Sequence, residues 1–282
     1  MDWVKKYNTE THFYFNYKKT NNIQIEPLDA ALYTVKHISE KYPPPYTLML
    51  SGGVDSQAML YAWHVSKIPY NTFSAIYNYN LNDYDLNTLK EFSSILNIDI
   101  NYENFDLFNF LETEYPEYTN RYLCGSPHIC TYMKLADTIS NGTVIMSGNF
   151  IQSNYITMPS NLSGLLNYKK ISGRPIVPFF FLETEELAWA FNDYTVDESK
   201  DHGYMAKVQS YQHFGFPVIP QSSKLHGFEK VKEWFDHNYH KPIPTENKLI
   251  RIPSQGSNRI FDLLYRNKYE AKFSKYKYIH VC

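Results

Sequence analysis

Tyr46-Thr47-Leu48-Met49-Leu50-Ser51-Gly52-Gly53-Val54-Asp55-Ser56 decides how this 282-residue chain is read. Tyr46 to Leu50 has the length and character of a parallel strand covered on both faces. Gly52 and Gly53 follow, residues that permit close backbone approach and positive φ. A helix over 57–65 comes next, and its first N–H groups and dipole aim at the turn. Strand, glycine turn and helix N-terminus together make an anion site of the kind that takes phosphate. Ser51 and Ser56 add hydroxyl donors. Asp55 suits such a site by holding Mg²⁺, which bridges to phosphate oxygens.

A turn needing glycine for steric reasons accounts for Gly52 and Gly53 alone. Ser-Gly-Gly-x-Asp-Ser fixes five positions, which coincide on the order of once in several thousand chains of this length. With those residues quoted, the loop resembles the phosphate loop of the ATP pyrophosphatases (PP-loop, adenine nucleotide alpha hydrolase-like). It is not a Walker loop, because no Gly-Lys-Ser/Thr follows. The resemblance implies that Ser51, Gly52, Gly53, Val54, Asp55 and Ser56 hold ATP and its pyrophosphate, with Mg²⁺ on Asp55. Its span is residues 46–191.

Alternation of strands and helices predicts an α/β fold with a doubly wound parallel sheet. Strands are expected at 46–50, 72–77, 98–102, 143–146 and 176–180. Helices are expected at 27–38, 57–65, 85–96, from Ser126-Pro127 to about 139, and at 183–191. A hairpin is expected around Lys18 to Asn22, between 11–17 and 23–25. Residues 105–125 read as irregular with one helical turn at 107–111, and 151–173 as a loop over the substrate. The division is 1–45 (hairpin and helix on the core), 46–200 (PP-loop domain) and 201–282 (a mostly helical or irregular extension).

In such sheets ligands bind beyond the carboxyl ends of the strands. Leu50, Ile76, Tyr77, Ser147 and Gly148 are therefore the adenosine candidates, Ile76 and Tyr77 because the strand they end flanks adenine in PP-loop proteins. Downstream, Ile176-Val177-Pro178-Phe179-Phe180 and the stretch Pro220 to Phe228 resemble the asparagine synthetase synthase domain. That resemblance makes Lys224 the cation on the leaving pyrophosphate, a catalytic role shared with Asp55. The pattern departs where Asn149 and Gln152 stand for two family acids, and no catalytic glutaminase cysteine follows Met1.

The expected activity is an ATP-dependent, AMP- and pyrophosphate-forming synthetase. It adenylates a carboxyl or carbonyl of a small-molecule acceptor for attack by nitrogen, supplied free or by a separate glutaminase. Cys124 and Cys130, with Lys134 downstream, resemble the cysteine-to-lysine stretch of tRNA thiolation enzymes, a rival that lacks the close Cys-x-x-Cys pair. A third reading is a nucleotide-binding protein with decayed catalysis. With 27 basic and 29 acidic residues the chain has no overall field for nucleic acid, and RNA is not indicated. His237 and His240 lack a third metal ligand. No run of 18 apolar residues, no apolar leader and three cysteines predict a cytoplasmic protein without a membrane span.

Overall fold

The computed structural model describes residues 25–122, 124, 126–148, 164–191 and 204–221, and the backbone alone of 5–8, 13–16, 159–163 and 279–281. From the N-terminus run β1 (Lys5–Asn8), β2 (Phe13–Asn16), α1 (Pro27–Lys41), β3 (Tyr46–Met49), α2 (Val54–Ser66), β4 (Asn71–Tyr77), α3 (Asp83–Leu96) and β5 (Tyr102–Phe105). There follow α4 (Leu107–Thr113), α5 (Tyr115–Tyr122), α6 (Pro127–Thr138), β6 (Thr143–Met146), α7 (Pro159–Ser172), β7 (Ile176–Val177), α8 (Glu185–Ala190), α9 (Tyr204–His213) and β8 (Ile279–Val281).

The central sheet has the order β5-β4-β3-β6-β7, and every pair in it is parallel. The chain starts this sheet in the middle, builds outward to β5, then returns to β6 on the other side of β3. That reversal makes a doubly wound α/β fold with its switch point between β3 and β6. Side chains alternate across the strands. Tyr46, Leu48, Leu50, Ile145 and Val177 join the core beneath α1, α2, α3, α8 and α9. Met49, Phe73, Ala75, Tyr77, Val144 and Met146 join the core beneath α4, α5, α6 and α7.

The local reasons are legible. Pro27 opens α1 at its first turn, and Ala30, Ala31, Thr34, Val35 and Ile38 form its buried stripe. α2 is buried on most sides, from Val54 to Trp63, because α1, α3 and α9 all lie against it. Lys67 then ends it in the left-handed conformation. Ser126 caps α6 by accepting from Ile129 N.

Several expectations need correction. The third strand is 102–105, not 98–102. Thr72 hydroxyl donates to Asp99 O at 3.0 Å and accepts from Asn101 N at 3.0 Å. A side chain therefore replaces the ladder beside 98–101, and backbone pairing starts only at Ser74–Tyr102. Of the stretch 105–125 expected to be irregular, 107–113 and 115–122 are helical: α4 and α5 bury Leu107, Phe110, Leu111, Tyr115 and Tyr122, and 123 and 125 lie outside the described residues. The substrate loop expected over 151–173 contains α7, whose Leu165 and Tyr168 are buried; 151–158 lie outside the described residues. β2 pairs antiparallel with β1, upstream of it, and parallel with β8. The expected Lys18 to Asn22 turn lies outside the described residues, and Ile25 is not in a strand. The last strand stops at Val177, and its helix begins at Glu185.

Candidate functional site

Gly52 has φ +85°, and a Cβ there would sit 2.1 Å from the carbonyl oxygen of Asp85. Only glycine fits, because the loop turns against the first turn of α3. Gly53 differs. Its φ is −64°, and an added Cβ would meet only Ser51 Oγ, at 3.5 Å. Among the described residues nothing makes a steric demand for glycine at 53, so the open side of the loop is what that residue leaves free.

Gly53 is also the N-cap of α2, and it has no side chain with which to cap the helix. Ser56 Oγ donates to Gly53 O at 2.8 Å, and Gly53 N donates to Ser51 Oγ at 3.4 Å. The start of a 13-residue helix thus faces the loop without a side-chain cap, where its dipole favours an anion. Val54 is buried beneath it.

Asp55 lies in that first turn of α2 and is engaged on both oxygens. Oδ2 pairs with Lys207 Nζ at 2.6 Å, and Oδ1 accepts from Tyr211 hydroxyl at 2.7 Å. Burial, then the Asp55 charge, hold the Tyr211 hydroxyl protonated well above its ordinary range. Both donors come from α9, one turn apart on one face. Tyr204 stands one turn before them, its hydroxyl accepting from Gln221 N at 2.5 Å. Gln221 Nε2 in turn donates to Asp85 Oδ1. Burial, with Asp85 and Asp55 nearby, also raises the Tyr204 hydroxyl.

The strand register brings the expected site segments to one edge. Met49 pairs with Met146, so Leu50 and Ser51 lie beside Ser147 and Gly148. Gly148 has φ +65° and abuts the Phe179 ring, while Ser147 O accepts from Phe181 N at 3.2 Å. On the other side, Ser74 Oγ donates to Leu50 O at 2.9 Å, so β4 runs past the end of β3 before reaching Ile76 and Tyr77. Those two point to opposite faces. Tyr77 is 5% exposed and packs on Phe105, whereas Ile76 is half-buried on the α2 side. Asn82 fixes this strand end, accepting from Tyr77 N at 2.9 Å and donating to Ala75 O at 2.8 Å.

Lys224, Asn149 and Gln152 lie outside the described residues, as do His237 and His240. Cys124 and Cys130 are buried, and Cys130 Sγ donates to Cys124 O at 3.3 Å. Burial pushes the Cys130 thiol up, toward the unreactive form. Among the described residues no cluster of three or more His, Cys, Asp or Glu could hold a metal. With Asp55 held by α9, the described residues as placed do not form a resident metal site.

Asp85, Tyr204, Lys207, Tyr211 and Gln221 escaped the sequence reading. Tyr204, Lys207 and Tyr211 stand at i, i+3 and i+7, which puts them on one helical face. That spacing does not say what the face meets.

No family model and no curated protein matches the chain. Solved structures with a related outline include an NMN synthetase from Francisella tularensis, 16% identical over 79% of this chain and 100% of that one, with TM-score 0.37. Another is the NH3-dependent NAD synthetase of Campylobacter jejuni with nitrate, 14% identical over 87% and 94%, with TM-score 0.37. A third is the U34-tRNA thiolase NcsA of Methanococcus maripaludis with its [4Fe-4S] cluster, 13% identical over 88% and 79%, with TM-score 0.34. Likeness this distant carries no argument about chemistry. Among the described residues no helix is long and apolar enough to cross a membrane.

Proposed function

We propose that the chain is an ATP-dependent synthetase that cleaves ATP to AMP and pyrophosphate, adenylating a carboxyl or carbonyl group for attack by nitrogen. One observation carries this reading: a Ser-Gly-Gly-Val-Asp-Ser loop at the switch point of the sheet, beneath a helix start with no side-chain cap. Ser51, Gly52, Gly53 and Ser56 bind phosphate oxygens through N–H and hydroxyl groups. Mg²⁺ belongs to the substrate, arriving on the triphosphate, with Asp55 as its protein contact. Adenosine lies over the carboxyl ends of β3, β4 and β6, against Leu50, Ile76, Ser147 and Gly148, with Tyr77 supporting from the core.

Transfer of AMP needs an acceptor oxygen in line with the leaving pyrophosphate, so positioning and charge stabilisation are the protein's share. A cation on the pyrophosphate serves that end, the role assigned to Lys224. Nitrogen comes free in solution, from an amine, or from a separate glutaminase. The asparagine synthase-like substrate class rests on the resemblance of the downstream segments. The proposal includes a small-molecule acceptor and a cytoplasmic location.

Buried Cys124 and Cys130 favour nitrogen over sulfur chemistry, since a sulfur carrier needs an accessible thiolate. Incubation with α-labelled ATP, Mg²⁺ and a panel of carboxylates plus ammonium tests the proposal. Labelled AMP with pyrophosphate is expected; release of ADP and phosphate overturns it, and failure of every acceptor despite ATP binding favours the decayed reading.

A further inference from the structure

Asp55 presents a paradox for an anion site. A carboxylate in the first turn of α2 repels the phosphates that the same turn attracts, unless its charge is answered. The answering charge is Lys207, 2.6 Å away, with side chains of both residues about one-fifth exposed (21% and 18%). Lys207 is therefore a cation already delivered to the mouth of the phosphate loop, at the end of a long flexible stem.

The surroundings of Lys207 are fixed. Tyr211, Val208, Ala206 and Ser210 on α9 are buried. Beyond α9, Gln57 Nε2 donates to Ile219 O at 3.1 Å, and Ile219 N donates to Gln57 Oε1 at 2.8 Å. Gln57 Nε2 also donates to Gly52 O at 2.8 Å. One side chain of α2 thus ties the loop and the segment after α9 together. α9 is thereby anchored beside the loop, with the Lys207 ammonium on Asp55 Oδ2.

We propose that Lys207 is a phosphate-binding residue that works by exchange. In the nucleotide-free chain it neutralises Asp55. When a nucleoside triphosphate enters, its ammonium passes from Asp55 Oδ2 to the phosphate oxygens. Tyr211 stays on Oδ1 and keeps the carboxylate oriented, with Oδ2 released toward the incoming substrate. The exchange trades one charge-assisted contact for another, and discriminates by phosphate charge. Adenosine gives Lys207 nothing to move to. This inference rests on the nucleotide reading above and assigns it a cation that sequence reasoning did not find.

The test is equilibrium binding by calorimetry, in chelator and without metal, of ATP and of adenosine to wild type, Lys207→Met and Asp55→Asn. Exchange predicts that Lys207→Met lowers the ratio of ATP to adenosine affinity about tenfold or more, on the scale of one lost charge-assisted contact. It predicts that Asp55→Asn raises that ratio, because the lysine is released and the repelling charge removed. A ratio unchanged in both variants, with wild type binding ATP, overturns the exchange and leaves the nucleotide reading standing. Wild type that binds neither ligand overturns both. Should Lys207→Met fail to fold, Asp55→Asn decides alone, since removing the carboxylate leaves no uncompensated charge on that side of the pair.

Discussion

Gln57 and Ile219, 162 positions apart, exchange two hydrogen bonds, the side-chain amide of one closing on the backbone N–H and C=O of the other. This is the pairing an adjacent strand would make, supplied instead by a glutamine that is fully buried in α2. It carries the segment after α9 to the Ser51–Ser56 loop, since Gln57 also donates to Gly52 O. With it, α9 packs against α2 beside that loop.

Gln57→Leu should therefore destabilise the fold by about 1–3 kcal/mol, the cost of removing the buried donor to Gly52 O and the acceptor of the part-buried Ile219 N–H. The denaturation midpoint should fall while the slope stays the same. ATP binding should weaken as well, because Gly52 O loses its donor. A variant with wild-type stability removes Gln57 from this role.

The two loop glycines should separate cleanly. Gly52→Ala places a Cβ on Asp85 O at positive φ, and a loss of about 2 kcal/mol or more is expected. Gly53→Ala meets no such contact and should cost within about 1 kcal/mol, the difference between glycine and alanine at an N-cap. Yet Gly53→Ala should weaken ATP binding, because its Cβ enters space needed by phosphate. Thermal unfolding and calorimetric titration of both variants check the pair. Equal stability losses, or undiminished ATP binding by Gly53→Ala, would remove the distinction.

Alkaline pH should unfold the protein, with a defined sign. Burial and nearby acids hold the hydroxyls of Tyr77 and Tyr211 well above the ordinary value of 10.0, and burial does the same for Tyr132 with Asp85. The folded chain keeps these protons where the unfolded chain releases them. Their contribution is complete below pH 10 and declines as pH rises through the folded-state values. Tyrosinate absorbance should appear in two stages, the second coincident with loss of helical circular dichroism. A single early stage with the fold intact would show these tyrosines accessible.

Cys124 and Cys130 should resist alkylation in the native protein, with modification at both appearing only in denaturant, as read by peptide mapping. Serine at both positions should cost about 1–3 kcal/mol in all, as a polar group replaces a buried thiol, and leave turnover intact. Loss of turnover in a folded Cys124→Ser, Cys130→Ser variant would promote the sulfur reading.

The sequence determined what local chemistry can fix. Ser51 to Ser56 read as a strand–turn–helix junction because two glycines, two hydroxyls and a helix start are contiguous, and the structure places that turn between β3 and α2. β3, β4 and β6 were legible as short runs rich in apolar and β-branched residues, as central strands covered on both faces must be, with Thr47, Thr72, Ser74 and Thr143 as their buried polar members. Tertiary structure decided the rest. β5 is an edge strand whose Glu103 and Asn104 face water, so its pairing register depends on Thr72 rather than on its own pattern. The pairing of Lys207 with Asp55 was invisible for a related reason. A lysine's meaning is set by the charge it meets, and Asp55 lies 152 residues away, brought within 2.6 Å only when α9 packs its Tyr211 face onto α2.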